Sequence, residues 1–187
     1  RLVDKCHGIT EAIAVAQERS TDSDRYIRHA ALELFHRLVE KGHGITEAIA
    51  VAQERSTDSD RNVLHAALEL FHRLVDRGHG ITEAIAGAQE LSHDSKFFVK
   101  WNVLLLLNKL VTQGYGILEA ITIAQELESN SNLREIFLKT LWETLKEQRR
   151  YWQLNQNVNP DFQLYLEAFK KMCLTLELPC VLDEEGI

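Results

Sequence analysis

The sequence predicts an all-α protein: a right-handed α-solenoid of stacked helix pairs, closed at its C-terminal end by a less regular helical cap. Three observations lead there. A 36-residue unit occurs four times, starting near His7, His43, His79 and Tyr115, and residues 43–61 repeat residues 7–25 letter for letter. Within each copy the apolar residues recur at helical spacing, first over a long stretch and then over a short one. Glycines at Gly8, Gly44, Gly80 and Gly116 punctuate the period. A fixed period of this size marks an array in which each copy buries its apolar face only against its neighbours.

One copy can be read residue by residue. Ser56, Thr57, Asp58 and Ser59 offer N-cap side chains, and acids suit the positive end of a helix dipole. Val63, Ala67, Leu70, Phe71 and Leu74 then form one apolar stripe, and Gly78 after Arg77 is a left-handed C-cap, so a long helix is expected over about residues 60–77. A short helix is expected over about 82–91, with Ile81, Ala84, Ile85 and Ala88 inward. After the fourth copy the period slips. Residues 133–149 read as an amphipathic helix with Ile136, Phe137, Leu141 and Leu145 at core spacing. Residues 155–160 read as a turn, and 162–178 as a last helix stopped by Pro179. The expected division is therefore a repeat array over 1–130 and a cap and tail over 131–187. The opening RLVDKCHG aligns with RLVEKGHG at 37–44. The chain is thus expected to begin inside a truncated copy and to be part of a longer protein.

The start of the long helix, with Asp24, Ile27, Arg28, Ala30, Ala31 and Leu34, resembles the second-helix pattern of HEAT repeats, an acidic start followed by x-V-R and A-A-x-x-L. The resemblance covers about residues 2–116, and the fourth copy more loosely. The proline usual in that pattern is missing, and Arg28 becomes Leu64 in the next copy. HEAT and armadillo arrays mostly act as protein-binding scaffolds, so the resemblance implies that role.

Composition narrows the function. A formal net charge of −7 argues against nucleic acid as a partner, because phosphate backbones demand a local excess of Lys and Arg. No apolar run approaches the roughly 18 residues of a membrane span. Cys6, Cys173 and Cys180 have no metal-type spacing, and a reduced, intracellular, cytoplasmic protein is the plain reading; a Cys173–Cys180 bridge stays open. Near-identical helical repeats also occur in host-directed proteins of intracellular bacteria, so delivery into a host cytoplasm is a further expectation. His29 and His36 lie ~10 Å apart along a helix, too far to share one metal ion held at about 2 Å. No nucleophile, phosphate loop or HExxH pattern is present. The expectation is therefore neither an enzyme nor a cofactor or metal protein.

Two binding surfaces suggest themselves. Glu11, Glu47, Glu83 and Glu119 recur at one short-helix position, and Gln17, Gln53, Gln89 and Gln125 recur at another, each followed by Glu, so that Glu54 and Glu90 belong to the same row. If the short helices line a concave side, Glu47, Gln53, Glu54, Glu83, Gln89 and Glu90 form an acidic ladder that would attract a basic peptide or tail. The second surface lies where the copies disagree. Arg25, His29, Glu33 and His36 make a polar stripe on the outside of the first long helix, and Arg61, His65, Glu69 and His72 repeat it. In the third copy the same positions read Phe97, Trp101, Leu105 and Asn108. Either the C-terminal helices, or Tyr151 and Trp152, cover this apolar stripe, or it anchors a partner. Cover by the cap is the favoured expectation, because large exposed apolar patches are uncommon. The leading function is a protein–protein interaction module; the alternative is a structural spacer or oligomerisation arm holding other domains apart.

Overall fold

The computed structural model describes residues 8–127, 131–155 and 161–175. Among them are nine α-helices and no strand: α1 (Ile9–Ser20), α2 (Arg25–Glu40), α3 (Ile45–Arg55), α4 (Arg61–Asp76), α5 (Ile81–Ser92), α6 (Phe97–Thr112), α7 (Ile117–Glu126), α8 (Ser131–Asn155) and α9 (Phe162–Thr175). The protein is an all-α helical repeat in which short and long helices alternate. It divides into two compact units, Arg1–Gly87 and Ala88–Ile187, with the division inside α5. The boundary expected after residue 130 falls within the second unit.

In the first unit α2 packs on α4, and α1 on α3, while α1–α2, α2–α3 and α3–α4 close the gaps between the rows. Long helices thus lie beside long, and short beside short. The second unit keeps the rule: α8 takes the long-helix place against α6, and α9 the short-helix place against α7. Within this unit the segment read as an irregular cap therefore packs as one more long and short pair, joined by Trp142 of α8 stacking on Phe169 of α9 at 5.2 Å between ring centroids.

Each long helix ends in the same way. The His43 N–H reaches the Leu38 carbonyl and the Gly42 N–H the Val39 carbonyl; the same pair of bonds closes α4 at Gly78 and His79, and α6 at Gly114 and Tyr115. This Schellman arrangement satisfies carbonyls that the helix leaves open, and it demands a left-handed residue, supplied by Gly42 at φ 77°. Two residues later Gly44 is again left-handed, at φ 63°, and a Cβ there would lie 3.1 Å from Ile13 Cγ1 of the preceding short helix. Ala12 and Ala16 on α1, and Ala48 and Ala52 on α3, are fully buried, so small side chains set the approach of the short row.

Helices α2 and α4 begin on Asp24 and Asp60 rather than on the Ser and Thr before them. Asp58 Oδ1 accepts the Asp60 N–H at 2.9 Å, and Asp60 Oδ1 accepts the Asn62 N–H at 2.9 Å, so one carboxylate turns the loop and the next caps α4. Ser56, offered as a cap, is buried and its hydroxyl donates to the Gln53 carbonyl at 2.8 Å. The core stripe of α4 is as expected, with Val63, Ala67, Leu70, Phe71 and Leu74 buried. Of the four α5 residues expected to face inward, Ala84 and Ala88 are buried and Ile81 and Ile85 half-buried. Helix α8 runs on to Asn155 and buries Phe137, Leu141 and Leu145, whereas Ile136, expected in the core, is 41% exposed. The core face of α8 passes through Phe137 and Leu138, one position round from the expected stripe. Residues 156–160, 176–178 and Pro179 lie outside the described residues.

Gly42→Ala is expected to cost about 1–2 kcal/mol, the ordinary penalty of a left-handed side chain, because a Cβ there meets nothing within 4 Å. Gly44→Ala carries the same penalty and must also displace Ile13, so urea unfolding should show it to be the more destabilised of the two.

Candidate functional site

The polar stripe of α2 is not a purely solvated face. Arg25 is exposed, but His29, Glu33 and His36 are half-buried. His36 reaches α4, its Nε2–H donating to the Ala66 carbonyl at 3.3 Å, which sets the tautomer. Burial holds the His36 imidazolium below its ordinary 6.5, against the raising influence of Glu33, the Ala66 carbonyl and Glu69. On α4 the matching His72 instead approaches Glu69, at 4.0 Å.

In the third copy the stripe lies open. Phe97 is 58% exposed and Trp101 37% exposed, while Leu105 and Asn108 are half-buried. The expected cover is therefore absent over Phe97 and Trp101. The reason is the continuation of the rows: α8 lies beside α6 as the next long helix and α9 beside α7, so neither crosses these rings. The side chains of Tyr151 and Trp152 lie outside the described residues. Helix α6 buries Val99, Val103, Leu106, Leu107 and Leu110 on its core side, so the exposed rings are surplus to its packing. Beneath them the Asn108 Oδ1 is buried without a hydrogen-bond partner.

The acidic ladder is less uniform than its spelling. Glu47 and Glu83 are half-buried; Gln53, Glu54 and Glu90 are exposed. Glu54 is paired with Arg55, and Glu18 lies 3.7 Å from Arg19. In the third and fourth copies those arginines become Leu91 and Leu127, both buried. Gln89 turns its amide to Glu126, which also lies 3.8 Å from His93. Basic neighbours thus partly offset the ladder in the first two copies, but Glu90 has lost that neighbour.

Sequence reading missed the joint between the first two copies. Arg28 of α2 donates from Nε and Nη2 to the two oxygens of Asp58, each at 2.9 Å, and from Nη1 to the Asp22 and Ser23 carbonyls. The two side chains are only 12% and 4% exposed. Burial alone would raise the Asp58 carboxyl, but the Arg28 bonds, the Asp60 N–H and the Arg28 and Arg55 charges hold it below its ordinary 3.8. Arg25 bonds Asp60 at 3.0 Å and lies over the Tyr26 ring at 4.9 Å. A signal was available: the first two copies, nearly identical elsewhere, differ at three adjacent residues, Tyr26–Ile27–Arg28 against Asn62–Val63–Leu64.

Among the described residues no group of three or more His, Cys, Asp or Glu could hold a metal ion, and no helix is long and apolar enough to cross a membrane. Cys173 is buried; Cys6 and Cys180 lie outside the described residues. No protein-family model, curated protein or solved structure matches the chain.

Arg28→Leu, which installs the residue of the second copy, should cost about 1.5–3 kcal/mol, the value of hydrogen bonds to a charged group. The carboxylate is favoured in the fold, so the wild type keeps this contribution above the ordinary carboxylate range and loses it as pH falls through and below about 4; denaturant melts of the variant should show a shallower acid limb. For His36 the neutral ring is favoured in the fold, so its contribution is present above about pH 6.5 and is lost on acidification. His36→Gln, which keeps a donor for the Ala66 carbonyl, should therefore lose less Tm than the wild type between pH 7.5 and about 5.5.

Proposed function

We propose that this chain is a non-catalytic protein–protein interaction module, a HEAT-like α-solenoid that grips a partner protein through the apolar stripe of α6. The exposure of Phe97 and Trp101 carries the reading. Aromatic side chains supply much of the energy at interface centres, and burying a large apolar side chain is worth about 1.5–3 kcal/mol. Leu105 extends the stripe, and the core side of α6 is filled without any of the three. Three cysteines without metal-type spacing fit an intracellular, reducing setting, whether the cytoplasm of the source cell or that of a host.

The acidic ladder is the second candidate surface. Glu90, with a leucine where the earlier copies carry arginine, is the position that favours a basic peptide there. The two surfaces differ in their response to salt, because a charge-driven complex weakens steeply as ionic strength rises and an apolar one does not.

Quantitative affinity capture at physiological salt, comparing wild type with Phe97→Asp and with Glu47→Lys/Glu83→Lys, separates the readings. Phe97→Asp should change Tm by no more than ~2 °C, because the side chain is exposed and an acid suits the first helical turn. It should lower recovery of a stoichiometric partner by about tenfold or more. Loss only in the lysine variant would move the site to the ladder. No partner for any form would leave the spacer reading in its place.

A further inference from the structure

The first of the three adjacent positions at which the first two copies part company, Tyr26 against Asn62, lies at one feature of the first unit. Arg25, Tyr26 and His29 of α2 and Asp60 and Asn62 at the start of α4 line an open pocket of ≈ 190 Å³. Tyr26 and Asn62 occupy the same register position, 36 residues apart, and line the pocket from opposite sides. A duplication that preserved its spelling here would have placed the same side chain on both walls. Tyr26 is 68% exposed, so core packing does not account for it.

The polar groups of the pocket are arranged to donate. Asp60 is the only carboxylate lining it, and its bonds are taken: Oδ1 accepts the Asn62 and Val63 N–H groups at 2.9 and 3.3 Å, and Oδ2 accepts Arg25 Nη1 at 3.0 Å. Arg25 is held in place from two sides, by Asp60 and by the Tyr26 hydroxyl, which accepts from Nη2 at 3.1 Å. A guanidinium carries five N–H donors, so two such bonds leave others to offer. The Tyr26 hydroxyl, having accepted from Arg25, keeps its own proton to donate, and the Asn62 amide adds two more donors. The N-terminal ends of α2 and α4 add positive potential. Arginine and tyrosine fixed in this way make good interface anchors, because little side-chain freedom remains to be lost on binding.

We propose that this pocket is a binding site for a peptide carboxylate, an Asp or Glu side chain of a partner protein, held by Arg25, Tyr26 and Asn62. It is a second site, separate from the α6 stripe, and does not depend on that stripe being occupied. It presents hydrogen-bond donors where the acidic short-helix row presents carboxylates, so the two surfaces suit partner groups of different chemistry.

The test is a two-dimensional amide NMR titration of the whole chain with N-acetyl-Glu-Glu-amide, with N-acetyl-Gln-Gln-amide as the uncharged control. Saturable shifts confined to residues 25–29 and 60–63 are expected with the glutamate peptide and not with the glutamine peptide. Tyr26→Asn, which copies the residue the second repeat already carries and so preserves the fold, should weaken the response about fivefold; Arg25→Gln should weaken it further. Equal shifts with both peptides, a saturable response unchanged in Tyr26→Asn, or no saturable shift near the pocket would each overturn the assignment. None of these outcomes bears on capture through Phe97, and loss of that capture would leave this titration untouched.

Discussion

The spacing of the short helices rests on one contact: the seat of an isoleucine from one copy against the helix-start glycine of the next. A Cβ on Gly44 would come within 3.1 Å of Ile13, and one on Gly80 within 3.0 Å of Ile49. Both distances are tighter than nine in ten real Cβ contacts, so a side chain there would have to push its neighbour aside besides adopting the glycine's positive φ. The buried alanine pairs of α1 and α3 make the same demand one turn further on. With the short row drawn this close, the preceding Gly-His-Gly turn must reverse the chain in very few residues. The Schellman bonds allow this without leaving helix-end carbonyls unpaired. Long-helix packing then follows from connection lengths fixed by those turns.

Between neighbouring copies the long helices are joined by polar contacts as well as apolar ones. Arg28 ties its own loop to the loop of the next copy, and His36 crosses from α2 to the backbone of α4. Both residues could be taken for surface polarity in a helical wheel, since they sit off the main apolar stripe. A repeat array changes the meaning of that position: the side of a long helix faces the flank of its neighbour rather than water. This is why the stripe that begins at Arg25 is exposed at one end and half-buried further along.

The period, the helix pairs, the glycine C-caps and the α4 core were legible because each depends on local chemistry or on spacing within one copy. The start of α4 was expected to within a residue, but its capping side chain was misassigned because Ser, Thr and Asp all cap well alone. Only the loop geometry shows Asp58 spent on the turn and Asp60 on the helix. Ile136 was misjudged because a wide apolar arc on α8 gives no sign of which edge meets α6. The aromatic stripe was found by comparing copies, but its exposure depends on where α8 and α9 lie, which the drifting C-terminal sequence does not state. The proposed carboxylate pocket left its trace in one mismatched pair, Tyr26 against Asn62, whose meaning needed the juxtaposition of two helix starts.

The Asp-Ser-Asp loop has an evolutionary consequence. Its carboxylates secure the start of the long helix from residues that precede it, so the first turn itself carries little responsibility for the helix beginning there. Asp94 Oδ1 still accepts the Lys96 N–H at 2.7 Å, even though Lys96 gives α6 no side-chain cap. The second position after the cap has accordingly passed from Tyr26 to Asn62 to Phe98 while the helix beginning stayed where it was. Such a lineage can rewrite what each repeat displays at that end, one copy at a time, without renegotiating the fold that displays it.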